Sequence, residues 1–355
     1  MFLAEGLSGL GYFLNILFLI IGILFLVKGA DFFVASASSI AKKFKISALV
    51  IGLTVVSFGT SAPELAVSLT SSIKGESGLA LGNVVGSNIA NVALVLGLSA
   101  LISPIAIKKS LCKREFPFLL ATTVLLMIFS FDNLLSGYQG VQNILSRGES
   151  IIFVAGIALF CYISVVMAKK DAQSDTNYLE GEQESEEIKE MPMKKTLILL
   201  VIGLAGIIVG AEFVTTPAST IATAIGVSLG VDNSLMTNLV GLTVVAIGTS
   251  LPELVTSVMA AKRGENEIAV GNVVGSNIFN ILFICGLSGV ITPLTMTADI
   301  MTDMVISFFL FILVFVFCRT GKLKRSQGGI LLGLYVLYIV YIVTRLFFPQ
   351  IVIPA

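Results

Sequence analysis

Two glutamates, Glu64 and Glu253, each end the short sequence Gly-Thr-Ser-x-Pro-Glu inside a long apolar stretch. An ionised carboxylate near the middle of a bilayer costs on the order of 2.5–3.5 kcal/mol even on the lenient insertion scales. Neither stretch contains a Lys or Arg to neutralise this charge. The pair therefore predicts a site whose compensating charge comes from a bound cation.

Each glutamate follows hydroxyl side chains and a proline. Pro63 lacks an amide hydrogen and clashes with the carbonyl four residues earlier, so we expect the helix to unwind near Gly59 and to release the carbonyl of Ser57. Pro252 should release the carbonyl of Ala246 in the same way. With the two carboxylates, these groups make an all-oxygen site that suits a hard cation such as calcium, and sodium fits the same ligands. The hydroxyls are those of Thr60, Ser61, Thr249 and Ser250.

Both motifs belong to one internal repeat. Gly52–Asn91 and Gly241–Asn280 align without gaps at an offset of 189, and 24 of the 40 paired residues are identical. A weaker similarity pairs Gly29–Phe32 with Gly210–Phe213. In the first of these short segments, Asp31 lies three residues from Lys28, and we expect a local ion pair. The repeat indicates two homologous halves that build one site.

A second shared text, Gly-Asn-Val-Val-Gly-Ser-Asn, follows each glutamate. Its small residues and asparagines suit close helix packing. Four polar residues in or just after it lie at i, i+4 spacing on one helix face and would instead complete the cation site. These four are Ser87, Asn91, Ser276 and Asn280. Both interpretations remain open at this point.

The composition places these motifs in a membrane. Hydrophobic residues make up 56% and charged residues 12% of the chain, and the mean hydropathy is +0.99, whereas soluble domains carry about 25% charged residues. The formal net charge is zero, which provides no basic field for nucleic acid. The absence of histidine excludes Ser-His catalysis and His-ligated metal sites. An intramembrane hydrolase would also lack a nucleophile and base, so we expect a protein that is not an enzyme and needs no cofactor.

Ten apolar stretches are long enough to cross a bilayer. They run near Leu10–Val34, Ser47–Ile73, Leu79–Ile102, Phe116–Phe131, Ser150–Ala168, Thr196–Pro217, Leu235–Ala261, Ile268–Ile291, Ile300–Cys318 and Gln327–Phe348. With the N-terminus outside, the cytoplasmic loops hold 18 of the 22 Lys and Arg residues, as the positive-inside rule requires. Five crossings per half make the duplication an inverted repeat. The predicted fold is an all-α membrane protein of ten helices, with the second and seventh broken.

The chain divides accordingly into three parts. Residues 1–168 form the first five-helix repeat, with its motif at 52–91, and residues 196–355 form the second, with its motif at 241–280. Between them, residues 169–195 are rich in glutamate and poor in apolar residues. Such a segment cannot fold by itself, and we predict an acidic cytoplasmic linker.

The paired texts GTSAPEL with GNVVGSNIAN, and GTSLPEL with GNVVGSNIFN, resemble the two alpha repeats of the sodium/calcium exchangers in the calcium/cation antiporter superfamily. The resemblance covers the whole chain and implies sodium-driven calcium transport by alternating access, without ATP, in a plasma or bacterial inner membrane. It implies that Glu64 and Glu253 bind both ions. It also implies that Thr60, Ser61, Thr249 and Ser250, with the carbonyls of Ser57 and Ala246, line sodium sites. The third and eighth helices would contribute Ser87, Asn91, Ser276 and Asn280.

One position departs from part of that family. Potassium-dependent members and some prokaryotic ones have aspartate where this chain has Asn280. Two carboxylates neutralise one calcium ion, whereas several sodium ions would leave a net positive charge. We therefore expect electrogenic, potassium-independent exchange. We also expect the protein to be a monomer. A proton/calcium antiporter stays open as an alternative, because a desolvated glutamate can titrate near neutrality. A passive cation channel is less compatible with the inverted Pro-Glu pair.

Overall fold

The computed structural model describes residues 9–44, 46–132, 142–174, 191–229, 236, 240, 244 and 246–347. Within these ranges the chain is almost entirely helical. In chain order the helices are α1 (Gly9–Phe44), α2 (Ala48–Thr60), α3 (Ala62–Ile73), α4 (Ser77–Ile102), α5 (Phe116–Ser130), α6 (Arg147–Ser174), α7 (Met193–Ser228), α8 (Ala246–Thr249), α9 (Leu251–Lys262), α10 (Asn266–Ile291), α11 (Ala298–Cys318) and α12 (Arg325–Phe347). Four two-residue strands join them: β1 (Ile105–Ala106), β2 (Ile144–Leu145), β3 (Leu294–Thr295) and β4 (Lys322–Leu323).

The described helices fit a multi-pass membrane protein. Seven of them are long and apolar enough to cross a bilayer, and the bent pair α2 and α3 gives an eighth candidate. The predicted fourth span corresponds to α5, which follows a π-helical turn at Leu111–Glu115. The predicted seventh span corresponds to α8 and α9, and most of its first eleven residues, 235–245, lie outside the described residues.

The second predicted helix is broken, as its proline indicates. α2 and α3 meet at Ser61 and are bent by 50° relative to each other. Pro63 occupies the first turn of α3, where its missing amide hydrogen leaves no helical bond unmade. Ser250 separates α8 from α9 in the same way, with Pro252 in the first turn of α9. Each break therefore places a glutamate in the first turn of a new helix.

The internal repeat is visible in the element bounds. α3 and α9 correspond residue for residue at the offset of 189, as do α4 and α10, and β1 and β3. The tight turns before α4 and α10 correspond too, with Gly75 at φ +77° and Gly264 at φ +76°, a backbone conformation that favours glycine. The two copies of the repeated sequence thus form the same local structure.

α1 and α7 pack against each other through glycines. A Cβ atom at Gly29 would lie 2.8 Å from the carbonyl oxygen of Gly203, and one at Gly203 would lie 2.8 Å from that of Gly29. Two helical turns away, Gly22 and Gly210 meet in the same manner. A Cβ atom at Gly22 would lie 2.9 Å from the carbonyl oxygen of Gly210, and one at Gly210 would lie 2.8 Å from that of Gly22. Only glycine permits so close a backbone approach, which fixes these two helices as a pair.

Short loop contacts join the two halves at their ends. β1 pairs antiparallel with β4, and β2 pairs antiparallel with β3, so that each pair takes one strand from each half. Beside the first pair, Lys108 forms an ion pair with Glu267. Beside the second pair, the hydroxyl of Thr292 donates to the carbonyl of Ser72 at 2.8 Å.

Two predicted bounds differ from those of the observed helices. The sixth predicted helix does not end at Pro217, since α7 continues to Ser228; a proline inside a packed membrane helix removes one hydrogen bond, which neighbouring groups can compensate. The ends of the predicted linker are helical, because α6 runs to Ser174 and α7 begins at Met193. Residues 175–190 of that linker lie outside the described residues.

Candidate cation-binding site

Both helix breaks bring their glutamates into the interior. Glu64 is 1% exposed and Glu253 is fully buried. Within the described part of the chain, no group of three or more His, Cys, Asp or Glu residues comes together to hold a metal ion. A cation at this point would therefore be held by two carboxylates and neutral oxygen atoms.

Hydroxyl groups from both halves surround each carboxylate. Ser61, at the first helix break, donates to Oε1 of Glu253 at 2.8 Å, and Ser276 of α10 approaches the same atom at 3.4 Å. Thr249, at the second break, and Ser87 of α4 contact Glu64. Each glutamate thus meets one hydroxyl from the opposite break and one from the next helix of its own half.

Several oxygen atoms of the predicted ligand residues are buried and make no hydrogen bond within the described part of the chain. They are Oε2 of Glu64, Oε2 of Glu253, Oγ of Ser250, Oδ1 of Asn91 and Oδ1 of Asn280. A buried polar atom without a partner is costly, so these unpartnered oxygens suit a ligand that accepts electron pairs. The donor set fits a hard cation, which takes carboxylate, amide and hydroxyl oxygens.

The structure also places the remaining predicted residues. Thr60 is buried and donates to Oδ1 of Asn272 at 3.0 Å. The carbonyl of Ser57 is not released by Pro63 as predicted, because it accepts the amide of Ser61 at 3.0 Å. The helix is interrupted at Ser61. The amide hydrogen that Pro63 lacks would have bonded the carbonyl of Gly59.

The second break behaves differently from the first. The amide of Ser250 bonds the carbonyl of Ile247 at 3.1 Å, one residue short of the α-helical partner, Ala246. The two carbonyls that sequence reasoning treated as equivalent, those of Ser57 and Ala246, therefore have different surroundings. Their part in ion binding stays a prediction.

Four asparagines of the Gly-Asn-Val-Val-Gly-Ser-Asn text take part in the site's structure although sequence reasoning assigned them to helix packing. Nδ2 of Asn272 bonds Oγ of Ser257 at 2.9 Å and the carbonyl of Glu253 at 3.4 Å. Nδ2 of Asn83 bonds Oγ of Ser68 at 2.8 Å and the carbonyl of Glu64 at 3.0 Å. The other two, Asn88 and Asn277, bond the predicted site residues Asn280 and Asn91. Their occurrence at matching repeat positions was the signal available in the sequence.

Close helix packing is a feature of this sequence motif. A Cβ atom at Gly271 would lie 3.1 Å from Cα of Gly52, and one at Gly275 would lie 2.7 Å from the carbonyl oxygen of Leu53. The glycines therefore bring α10 against α2, while Ser276 on the same helix faces Glu253. The packing interpretation is confirmed for the glycines, and the cation-binding role of Ser87, Asn91, Ser276 and Asn280 stays a prediction.

A family model described as "Sodium/calcium exchanger protein" matches residues 14–166 and 195–344. The chain belongs to the sodium/calcium exchanger family. This is a family of membrane transporters, and both halves of the chain lie within the match.

Individual relatives agree with the family assignment. The chain is 38% identical to the sodium/calcium exchanger MaX1 of Methanosarcina acetivorans, over 92% of this chain and 97% of the relative. It is 37% identical to the putative antiporter CaxA of Alkalimonas amylolytica, over 91% of this chain and 96% of the relative. Among solved structures, the exchanger NCX_Mj soaked with 100 mM Na⁺ and 10 mM Sr²⁺ matches with a TM-score of 0.76 and 31% identity. That match covers 93% of this chain and 98% of the other.

Proposed function

We propose that this protein is an antiporter that exchanges sodium for calcium across a membrane by alternating access. The observation that carries the proposal is the pair of buried carboxylates, Glu64 and Glu253, each with an oxygen atom that no described group satisfies. One carboxylate comes from each repeat, so the site lies where the halves meet, as in other inverted-repeat transporters. Family membership and the relative named a sodium/calcium exchanger support these ions.

The ligand set follows from the same geometry. Glu64 and Glu253 bind calcium and sodium in turn, and the hydroxyls of Ser61, Ser87, Thr249 and Ser276 contact them. Oxygen atoms of Ser250, Asn91 and Asn280 are buried and unpartnered, so they are available to coordinate the cation. Thr60, Ser57 and Ala246 complete the predicted sodium sites through a hydroxyl and two carbonyls.

The chain crosses the membrane ten times in this proposal, with the N-terminus outside and the linker 169–195 in the cytoplasm. Contacts between loops support the topology. The loops around β1, β4 and Glu267, which the positive-inside rule assigns to the cytoplasm, contact one another. The loops around Ser72, β2 and β3, which it assigns to the outside, also contact one another. We further propose a monomer in a plasma or bacterial inner membrane.

Transport is electrogenic and independent of potassium in this proposal. Asn280 is neutral, so the site carries two negative charges, which balance one calcium ion. Three or more sodium ions on the return step would carry a net positive charge. An aspartate at this position would change that balance.

Purified protein in lipid vesicles tests the proposal directly. Vesicles loaded with sodium and diluted into sodium-free buffer should take up radiolabelled calcium. Glu64→Gln and Glu253→Gln should abolish the uptake, because each removes half of the site's charge. Glu149→Gln is the matched control: Glu149 is partly exposed in the first turn of α6 and accepts bonds from Ser146, so this variant should transport normally.

Other outcomes separate the alternatives. Calcium uptake that is independent of sodium but driven by a pH gradient would indicate proton/calcium antiport. The name of the relative CaxA, a putative antiporter, is compatible with this alternative. Calcium flux with no counter-ion requirement would indicate a channel. Either result would overturn sodium/calcium exchange.

A further inference from the structure

Two asparagine pairs cross between the halves beside the site. Nδ2 of Asn91 donates to Oδ1 of Asn277 at 3.3 Å, and Nδ2 of Asn280 donates to Oδ1 of Asn88 at 3.0 Å. The offset of 189 converts Asn88 into Asn277 and Asn91 into Asn280, so the two bonds are equivalent. All four side chains are at most 3% exposed.

The direction of these bonds determines what each amide presents to its surroundings. In both pairs the predicted ligand, Asn91 or Asn280, donates its nitrogen and keeps an unpartnered Oδ1. An asparagine amide has a donor end and an acceptor end, so holding the nitrogen turns the oxygen the other way. Reversal of the amide would put a hydrogen-bond donor where a cation needs an oxygen.

We infer that Asn88 and Asn277 are positioning residues, which hold the amides of Asn280 and Asn91 with their oxygens available to the transported cation. The inference rests on the proposed function, because it needs Asn91 and Asn280 to bind the ion. Outer-shell partners of metal ligands typically contribute tenfold to a hundredfold in affinity.

A double-mutant cycle tests this role. Asn277→Leu should raise the KM for calcium by about tenfold or more, with little change in the melting temperature of the calcium-free protein. In an Asn91→Ala background, Asn277→Leu should have no further effect on KM, because Asn277 acts through Asn91. In an Asn280→Ala background, its effect should persist in full. Asn277→Asp, which keeps the acceptor oxygen for Asn91, should recover part of the lost affinity.

The alternative outcomes are distinct. A full effect of Asn277→Leu in the Asn91→Ala background would overturn the positioning role, as would a lower melting temperature with an unchanged KM. A failure of sodium to drive any calcium uptake in the unmodified protein would instead overturn the proposed exchange.

An independent observation concerns the ends of α1 and α7. Asp31 does not pair with Lys28 as predicted. Its Oδ1 accepts Nε of Arg263 at 2.9 Å and Nη2 at 2.5 Å. About two turns further along α1, the hydroxyl of Ser38 donates to Oε1 of Glu265 at 2.6 Å. These two contacts, which we term the inner clasp, attach α1 to the turn between α9 and α10.

The other half contains four equivalent residues, two identical and two of the same charge, and no such contact between them is present in the described part of the chain. Aligning Gly29–Phe32 with Gly210–Phe213 at their offset of 181 matches Asp31 to Glu212 and Ser38 to Ser219. The offset of 189 matches Arg263 to Lys74 and Glu265 to Glu76. We term Glu212, Ser219, Lys74 and Glu76 the outer clasp set.

The outer clasp set is apart in this structure. Lys74, Glu76 and Glu212 are exposed, and Glu212 accepts a bond from Thr216 on its own helix at 2.8 Å. Oγ of Ser219 has no hydrogen-bond partner in the described part of the chain. The equivalent groups of the two halves thus differ in conformation although their residue types agree.

We propose that the two sets close alternately, so that the inner clasp holds α1 to the core when the site is sealed from the cytoplasm, and the outer clasp holds α7 to the core when the site is sealed from outside. An inverted repeat switches access when its halves exchange conformations, which would break one clasp and form the other. This proposal rests on the proposed alternating access.

Cysteine cross-linking tests the alternation. The native cysteines Cys112, Cys161, Cys285 and Cys318 are free and are first replaced, with exchange verified. Ser38→Cys with Glu265→Cys should then cross-link in one ionic condition, and Ser219→Cys with Glu76→Cys should cross-link in another. Each bond should stop transport, and a reducing agent should restore it.

Absence of the outer cross-link in sodium, in calcium and without either ion, in protein that still exchanges, would overturn the alternation. So would formation of both cross-links together in molecules that still transport. Alternating cross-links in protein that transports calcium against protons would leave the clasps standing and overturn the proposed coupling ion.

Discussion

Ser61 donates a hydrogen bond to Oε1 of Glu253 at 2.8 Å, although the two residues are 192 positions apart in the chain. The repeat would place an equivalent bond between Ser250 and Glu64. Oγ of Ser250 is instead buried without a hydrogen-bond partner among the described residues. The two halves therefore supply the same groups to the site and use them differently.

This asymmetry predicts unequal effects of two equivalent substitutions. A hydrogen bond to a charged group contributes about 1.5–3 kcal/mol. We expect Ser61→Ala to raise the KM for calcium by roughly tenfold or more, because Glu253 loses the contact that orients it. Ser250→Ala should raise it less. Initial rates of calcium uptake in vesicles measure both, and equal effects would show that the asymmetry has no role in binding.

Sequence reasoning located the candidate site because its signals are local. A proline in an apolar stretch, followed at once by a glutamate, indicates a broken helix and a buried charge whatever the fold around it. The nearly identical second copy of this motif then indicated that Glu64 and Glu253 belong together. The structure buries both glutamates and joins the two helix breaks through the hydrogen bond from Ser61 to Glu253.

Long-range partners were beyond the sequence for a physical reason. Asp31 and Arg263 lie 232 positions apart, and nothing in a local pattern indicates which helix end meets which turn. The same holds for Asn88 and Asn277, whose residue types suit packing and polar contact equally well. The end of α7 was missed because proline does not always end a helix that is packed among others.

The glycine contact between α1 and α7 predicts a large loss of stability on substitution. Gly29→Leu would place side-chain atoms within 2.8 Å of the Gly203 backbone, where no flexible group can move away. We expect a melting temperature lower by several degrees in detergent and a loss of transport, because overpacking costs about 1–3 kcal/mol or more. Gly333→Leu in α12 is the control, since a Cβ atom there meets nothing within 4 Å.

A buried ion pair joins α11 to α12. Nη2 of Arg345 lies 3.3 Å from Oδ2 of Asp303, and the two side chains are 15% and 11% exposed. Removing one partner of a buried pair leaves an uncompensated charge and costs about 3–5 kcal/mol. Arg345→Leu should therefore lower the melting temperature strongly, and Arg345→Leu with Asp303→Leu should recover much of the loss. A double variant less stable than Arg345→Leu alone would contradict this explanation.

Asn280→Asp tests how the site's charge sets ion affinity. The Oδ1 atom of Asn280 is buried and unpartnered, so a carboxylate there adds a negative charge near Glu64 and Glu253. We expect a lower KM for calcium and a slower maximal rate, because the ion binds more tightly and leaves less readily. Concentration dependence of uptake separates the two parameters. Asn15→Asp, at the far end of α1, is a control for an added buried carboxylate outside the site.

Electrogenic exchange predicts that membrane voltage drives transport. If more than two sodium ions exchange for one calcium ion, each cycle moves net positive charge with sodium, because two carboxylates cannot neutralise the extra ions. In sodium-loaded vesicles, a potential that is positive outside should slow calcium uptake, and one that is negative outside should speed it. Calcium uptake measured with the voltage clamped by potassium and valinomycin at several potentials provides the test, and potassium at fixed voltage should have no effect. Uptake that does not change with voltage would mean that two sodium ions exchange for one calcium ion. Stimulation by potassium at fixed voltage would contradict the predicted potassium independence.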